Sequence, residues 1–259
     1  MDGRSALVTG AGRGIGRATA LLLARRGAQV MAVSRTEAEL DALTKECSDL
    51  SGPVQYLVET VETEEGCARI VAETTRRLGK LDILVNNAGY GSIDEAEIWL
   101  EDAAVWQRSL AVNLTAPFTL TRLALPEMIE RRYGRVVMVG SAASTESGVA
   151  ARMPAYAATK HGLLGLTRAV ALDVAPFGVT CNAVLPGSVR TRTAELKVRS
   201  EAQRARTTVD AAWQARLSRY YAGRFVTPAE VAETIAFLAS AQASGINGIG
   251  LLVALQGAV

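Results

Sequence analysis

Seven short runs rich in Val, Ile and Leu alternate along this chain with longer segments of helical period, and that alternation limits the possible folds more than any other feature. The runs cover residues 5–9, 29–34, 54–58, 83–86, 135–141, 179–184 and 250–255. Most are continuously apolar instead of alternating, as expected of strands covered on both faces in a parallel sheet. Repeated strand, helix, strand units with right-handed crossovers predict an α/β, Rossmann-like, doubly wound parallel sheet. In such a sheet the ligand crevice lies beyond the carboxyl ends of the strands, so chemistry-bearing residues are expected there.

No linker or internal repeat divides the 259 residues, and the chain reads as one domain over 1–259. Apolar residues at 49% and charged residues at 21% fit a packed core and argue against a disordered or disulfide-stapled chain. With 28 Lys and Arg against 26 Asp and Glu, the sequence carries no bulk electrostatic footprint for nucleic acid. Cys47, Cys67 and Cys181 lack metal-ligand spacing, and the single histidine, His161, cannot complete a Cys/His cluster. No metal site is expected, and the setting is read as reducing and cytoplasmic. The start, MDGRS, lacks the zones of a signal peptide. Residues 234–259 carry no charge, yet Ser240, Gln242, Asn247 and several glycines interrupt them, which favours a buried helix and strand over a membrane span. Thr227, Pro228 and Glu230 supply the N-cap, first-turn proline and capping-box acid of a helix running to about residue 240.

Directly after the first strand comes TGAGRGIG, with Gly10, Gly12, Gly14 and Gly16, opening a helix over 15–26 that starts at Ile15. The spacing is not G-x-G-x-x-G. Residues without a Cβ nonetheless let the backbone turn tightly and approach a pyrophosphate, which then meets the free N–H groups of a helix start. A dinucleotide fold commonly places Asp or Glu at the end of the second strand for the ribose hydroxyls. Here that strand ends with Ser34 and Arg35, and no carboxylate stands at its tip. Arg35, helped by Arg13 of the glycine turn, can meet a 2′-phosphate with charge-assisted bonds, which favours NADP(H) over NAD(H).

Further along lie Asn86, Asn87, Ala88 and Gly89 (NNAG), Asn113 in AVNLT, Ser141 at the end of the fifth run, and Tyr156 with Lys160 in YAATK. Together with the glycine turn, in this order and spacing, these motifs resemble the short-chain dehydrogenase/reductase family, closest in look to 3-oxoacyl thioester and polyketide ketoreductases. The resemblance implies a catalytic tetrad of Asn113, Ser141, Tyr156 and Lys160. It also implies cofactor contacts from the PG segment, Pro186, Gly187, Val189 and Thr191, and assembly into a homodimer or homotetramer. The family commonly has Asp before Val after the third strand, whereas this chain has Thr60 and Val61. Ser141 precedes Tyr156 by 15 residues, a wider gap than the family's, so a longer loop is expected over 142–154, with Ser144 as the fallback serine. The family's Asp-Gly-Gly near the C-terminus is replaced by Ala254, Leu255, Gln256 and Gly257.

The residues also make chemical sense by themselves. Tyr156 and Lys160 are four apart, so on a helix they project from one face and an ammonium lies near a phenol. A free tyrosine pKa of about 10 is high for proton exchange, and a nearby cation, together with the oxidised nicotinamide, is expected to lower it. Tyr156 then protonates a carbonyl oxygen held by Ser141, Lys160 binds ribose hydroxyls, and Asn113 holds a relay water. His161 reads as a packing or solvated residue and Cys181 as a small buried hydrophobe. Residues 190–224 form a candidate substrate lid with nine basic residues, among them Arg204, Arg206 and Arg219, against Glu195, Glu201 and Asp210. Such a lid suits an anionic handle such as coenzyme A or an acyl carrier protein. The sequence thus predicts an NADP-dependent interconversion of ketone and secondary alcohol. Two alternatives share the fold: a silent nucleotide-sensing or scaffold protein, and an NADP-retaining epimerase or dehydratase.

Overall fold

Neighbouring residues of the central strands bury into opposite layers, because successive side chains point to opposite faces. In β1 (Ser5–Thr9), Ala6 and Val8 join one core and Leu7 the other. The same division holds in β2 (Gln29–Ser34), where Val30 and Ala32 oppose Met31 and Val33. With β3 (Val54–Val58), β4 (Ile83–Asn86), β5 (Gly134–Val139), β6 (Val179–Pro186) and β7 (Gly250–Val253), these strands form one parallel sheet. Its order is β3-β2-β1-β4-β5-β6-β7, the doubly wound topology with its switch point between β1 and β4. The computed structural model describes residues 1–91, 96–145, 152–218 and 220–255.

Helices α1 (Gly14–Arg25) and α2 (Glu37–Glu46) cover one face through Leu23 and Leu40. The other face is covered by α3 (Glu64–Leu78), α5 (Ala116–Glu130) and α6 (Pro154–Val174), through Ile70, Leu120 and Leu163. Between them α4 (Ala103–Leu110) runs into α5 through a π turn at Ala111–Thr115. After β6 come α7 (Arg192–Arg204) and α8 (Val209–Leu217), then α9 (Pro228–Leu238), which returns to the first face with its capping box at Thr227 and Glu230 formed. Among the described residues no helix is long and apolar enough to cross a membrane.

Several boundaries differ from the sequence reading. β5 stops at Val139 instead of residue 141: Gly140 N–H still donates to the Val184 carbonyl at 2.8 Å, but Ser141 leaves the ladder. It caps a short 3₁₀ turn, Ala142–Ser144, its Oγ accepting from Ala143 N–H at 3.2 Å. β6 runs on to Pro186 opposite Val253, where β7 ends, short of residue 255. α1 starts at Gly14 and ends at Arg25, and α9 stops at Leu238 instead of residue 240. Much of the loop expected over 142–154, together with Arg219, Gln256 and Gly257, lies outside the described residues.

Candidate active site

The loops that follow β1 and β4 are pinned to each other at the switch point. Asn87 Nδ2 donates to the carbonyls of Thr9 at 2.8 Å and Gly10 at 3.3 Å, and Thr9 Oγ1 accepts from the N–H of Asn87 and of Ala88. Gly10 adopts φ +65°, and a Cβ on Gly16 would lie 2.3 Å from the Gly10 carbonyl oxygen, so neither position accommodates a side chain without moving the turn. The first turn of α1 holds no acidic residue and its N-cap, Arg13, makes no side-chain cap bond, which leaves helix N–H groups for an anion. These features fit the pyrophosphate of a dinucleotide.

At the far end of β2 the structure corrects the sequence reading. A carboxylate does stand there, supplied by α2: a Cβ on Gly12 would lie 2.7 Å from Glu39 Oε2 and 2.9 Å from Ser34 Oγ. Thr36 and Glu39 have capping-box spacing, yet Thr36 makes no side-chain cap bond and Glu39 turns toward the glycine loop. Arg13 Nη1 is 3.5 Å from Glu39. Arg35 Nη1 donates at 2.7 Å to Glu62 Oε1, which also accepts from Arg108 Nη2 at 2.8 Å. Thr60, standing where the family has Asp, donates its N–H to Glu59 and accepts from Glu62 N–H on its hydroxyl.

The facing wall is built from β5 and α6. Tyr156 and Lys160 lie one turn apart on α6, and the Lys160 Nζ is 5.7 Å from the Tyr156 ring centroid. Lys160 donates to the Val139 carbonyl at 2.9 Å, and burial lowers its pKa to about 8. Ser141 beside the phenol lowers the Tyr156 pKa, but burial is the larger effect and raises it above its ordinary value. The expected downward shift is therefore not what the chain alone produces: desolvation outweighs the influence of Ser141, and the Lys160 ammonium is turned to Val139. Among the described residues Ser144 Oγ is buried without a hydrogen-bond partner and stands off the cavity, whereas Ser141 lines it together with Tyr156.

Asn113 sits in the π turn, a feature that recurs at functional sites. Its carboxamide accepts from Tyr90 N–H and donates to the Tyr90 carbonyl, both at 2.8 Å, and also donates to Thr159 Oγ1 at 3.2 Å. Both amide hydrogens are thus used, leaving one lone pair on Oδ1. His161 Nδ1 lies 2.9 Å from the Ala157 carbonyl, away from the site, and the Cys181 thiol is buried in β6 and pushed up to about 12.

One cavity of about 950 Å³ joins these parts. Of the residues singled out from the sequence, Gly10, Gly12, Arg13, Gly14, Ile15, Ser34, Arg35, Thr60, Val61, Asn87, Ala88 and Gly89 line it. So do Ser141, Tyr156, Lys160, Pro186, Gly187, Val189 and Thr191, while Gly16 and Asn113 stand behind the lining. The far end is closed by Arg152, Met153, Lys197, Trp213, Arg216 and Tyr220. Among the described residues of the basic segment 190–224, the cations that reach the cavity are Arg192, Lys197 and Arg216, and Arg216 is paired with Glu201 across α7 and α8. Arg204 and Arg206 are exposed outside it.

Sequence reasoning missed Glu39, Glu62, Tyr90 and Arg108. Only Glu39 carried a usable signal, a capping-box acid one helix turn beyond the glycine-facing strand end.

Residues 4–202 match the family model described as short chain dehydrogenase. The chain is 35% identical over 248 residues to a 3-oxoacyl-acyl-carrier-protein reductase of Thermotoga maritima, covering 96% of this chain and 95% of that protein. It is 37% identical over 253 residues to a monensin polyketide synthase putative ketoacyl reductase of Streptomyces virginiae, with 96% and 95% covered. Among solved structures it superposes on an actinorhodin polyketide ketoreductase variant determined with NADPH, at a TM-score of 0.90 and 31% identity, covering 97% of this chain and 96% of that one.

Proposed function

This chain belongs to the short-chain dehydrogenases, and from that premise we propose that it interconverts a ketone and a secondary alcohol with NADP(H), Tyr156 carrying the proton. The bound nicotinamide supplies or accepts the hydride. In reduction, the Tyr156 hydroxyl donates its proton to the carbonyl oxygen and the Ser141 hydroxyl holds that oxygen in place. A phenol kept protonated by burial is suited to that donation. Lys160 is fixed by Val139 beneath the phenol and offers its remaining N–H groups to ribose hydroxyls. Asn113 holds the Tyr90 segment, and its remaining lone pair accepts a relay water.

The observation that carries this reading is the convergence of Tyr156, Ser141, Lys160 and the anion-ready turn of α1 in a single cavity. The choice of NADP(H) is supported by Arg13 and Arg35 at the adenosine end. Segment 190–224 acts as the lid, with Arg192 and Lys197 at its inner face, suited to a substrate carried on coenzyme A or an acyl carrier protein. Leu172 on α6, Phe118 on α5, and Leu251 and Leu252 on β7 are exposed, which supports assembly into a homo-oligomer. The test is NADPH absorbance followed against a panel of ketones, 3-oxoacyl thioesters and polycyclic quinones. Consumption with at least one oxo compound is expected. NADPH bound but never consumed would favour a sensing protein or an epimerase.

A further inference from the structure

The adenosine end of the cavity is not the purely basic pocket that a dianionic 2′-phosphate alone would call for. Three carboxylates, Glu39, Glu59 and Glu62, line it beside Arg13 and Arg35. Two of the three are committed. Glu59 accepts from Arg69 at 2.6 Å and from Thr60 N–H at 2.8 Å, and Glu62 holds both Arg35 and Arg108. Glu39 differs. Its ion-pair contacts are long, 3.5 Å to Arg13 and 3.9 Å to Arg192, and among the described residues no hydrogen bond engages its carboxylate. That carboxylate, one-quarter exposed, lies over Gly12 and beside Ser34 at the tip of β2, where a doubly wound sheet receives the adenosine ribose.

We propose that Glu39 is a cofactor-specificity residue: its carboxylate accepts from the adenosine ribose hydroxyls, so the pocket takes NADH as well as NADPH. The inference rests on the nicotinamide-cofactor reading above. A carboxylate with unused lone pairs accepts two vicinal hydroxyls, forming charge-assisted bonds. Beside a 2′-phosphate the same carboxylate is a like charge and weakens binding. Arg13 faces both ligands and satisfies whichever is present: with NADPH it turns to the phosphate, and with NADH it stays against Glu39.

The test is direct binding of each cofactor, followed by nicotinamide fluorescence, to the wild type and to Glu39→Gln. The variant keeps the side-chain length and one acceptor but loses the charge. The wild type is expected to bind both cofactors, and the ratio of the NADH Kd to the NADPH Kd is expected to rise at least about threefold in the variant. Glu39→Asp, which keeps the charge but withdraws it by one methylene, should move the ratio the same way by less, and it serves if the Gln variant is poorly folded. A ratio that stays within about threefold of the wild type in Glu39→Gln and does not move in Glu39→Asp overturns the inference, as does a wild type that binds NADPH but no NADH. If neither cofactor binds, the nicotinamide reading itself falls, and this inference with it.

Discussion

The two walls of the crevice hold their polar groups in different ways. On the β5 and α6 side, Lys160 and Thr159, with Asn113 of the π turn behind them, are buried, and each has a partner at hydrogen-bond distance. On the opposite wall, the Arg192 side chain is 69% exposed, and its contact with the Glu39 carboxylate is 3.9 Å long. Buried groups sit in a low dielectric, where a hydrogen bond is strong and a displaced group is costly. Exposed ion pairs are screened and contribute about 0 to 1 kcal/mol. The first wall can therefore fix a reaction, while the second can change its substrate preference without disturbing the chemistry.

The largest effect should come from the buried wall. Tyr156→Phe removes the proton donor and keeps the ring, so turnover should fall about 10² to 10⁴-fold while NADPH affinity stays within a few-fold of wild type, both measured on one preparation. Next is pH. Burial lowers Lys160 to about 8, so its ammonium is present below that value and lost as pH rises through it. Tyr156, raised by burial, stays protonated over the same range. The profile of kcat/KM for reduction should be flat below about pH 8 and fall by up to about tenfold per unit above it, and Lys160→Met should lack this limb.

Smaller effects belong to exposed groups. Arg35→Ala should weaken NADPH about tenfold and NADH about twofold or less, because the lost charge-assisted bonds form at a solvated site. Titration of each cofactor would show it. On the lid, kcat/KM for a thioester-linked substrate should fall several-fold from low to high salt, with little change for a small neutral ketone. Arg192→Glu should flatten that dependence, whereas Arg206→Glu, which stands off the cavity, should not. Equal flattening by both variants would assign the effect to the overall charge of the lid and erase the difference between inner and outer arginines.

Features governed by local periodicity were legible in the sequence. Four strands, β1 to β4, run as their apolar patterns indicate; in β1, β2 and β4 burial on both faces leaves few polar residues to blur them. Tyr156 and Lys160 could be paired because four residues make about one helical turn. What tertiary packing decides was not legible. Glu39 looks like a capping residue until α2 is laid against the glycine turn. Asn113 finds Tyr90, 23 residues away, through a loop contact that no period announces. In the chain alone the Tyr156 shift is upward, because desolvation, absent from any spacing rule, outweighs the influence of Ser141.

The proposed division of labour has hydride passing between the nicotinamide and an oxo carbon while Tyr156 moves the proton. The most direct measurement uses NADPH deuterated at the nicotinamide carbon that gives up hydride, with mass spectrometry of the product formed from an oxo substrate found in the panel. One deuterium on the new carbinol carbon is expected from the wild type, and little or no product from Tyr156→Phe under the same conditions. A product formed at full rate without deuterium would contradict it and leave Tyr156 as the base of an isomerising or dehydrating enzyme that returns its cofactor unchanged.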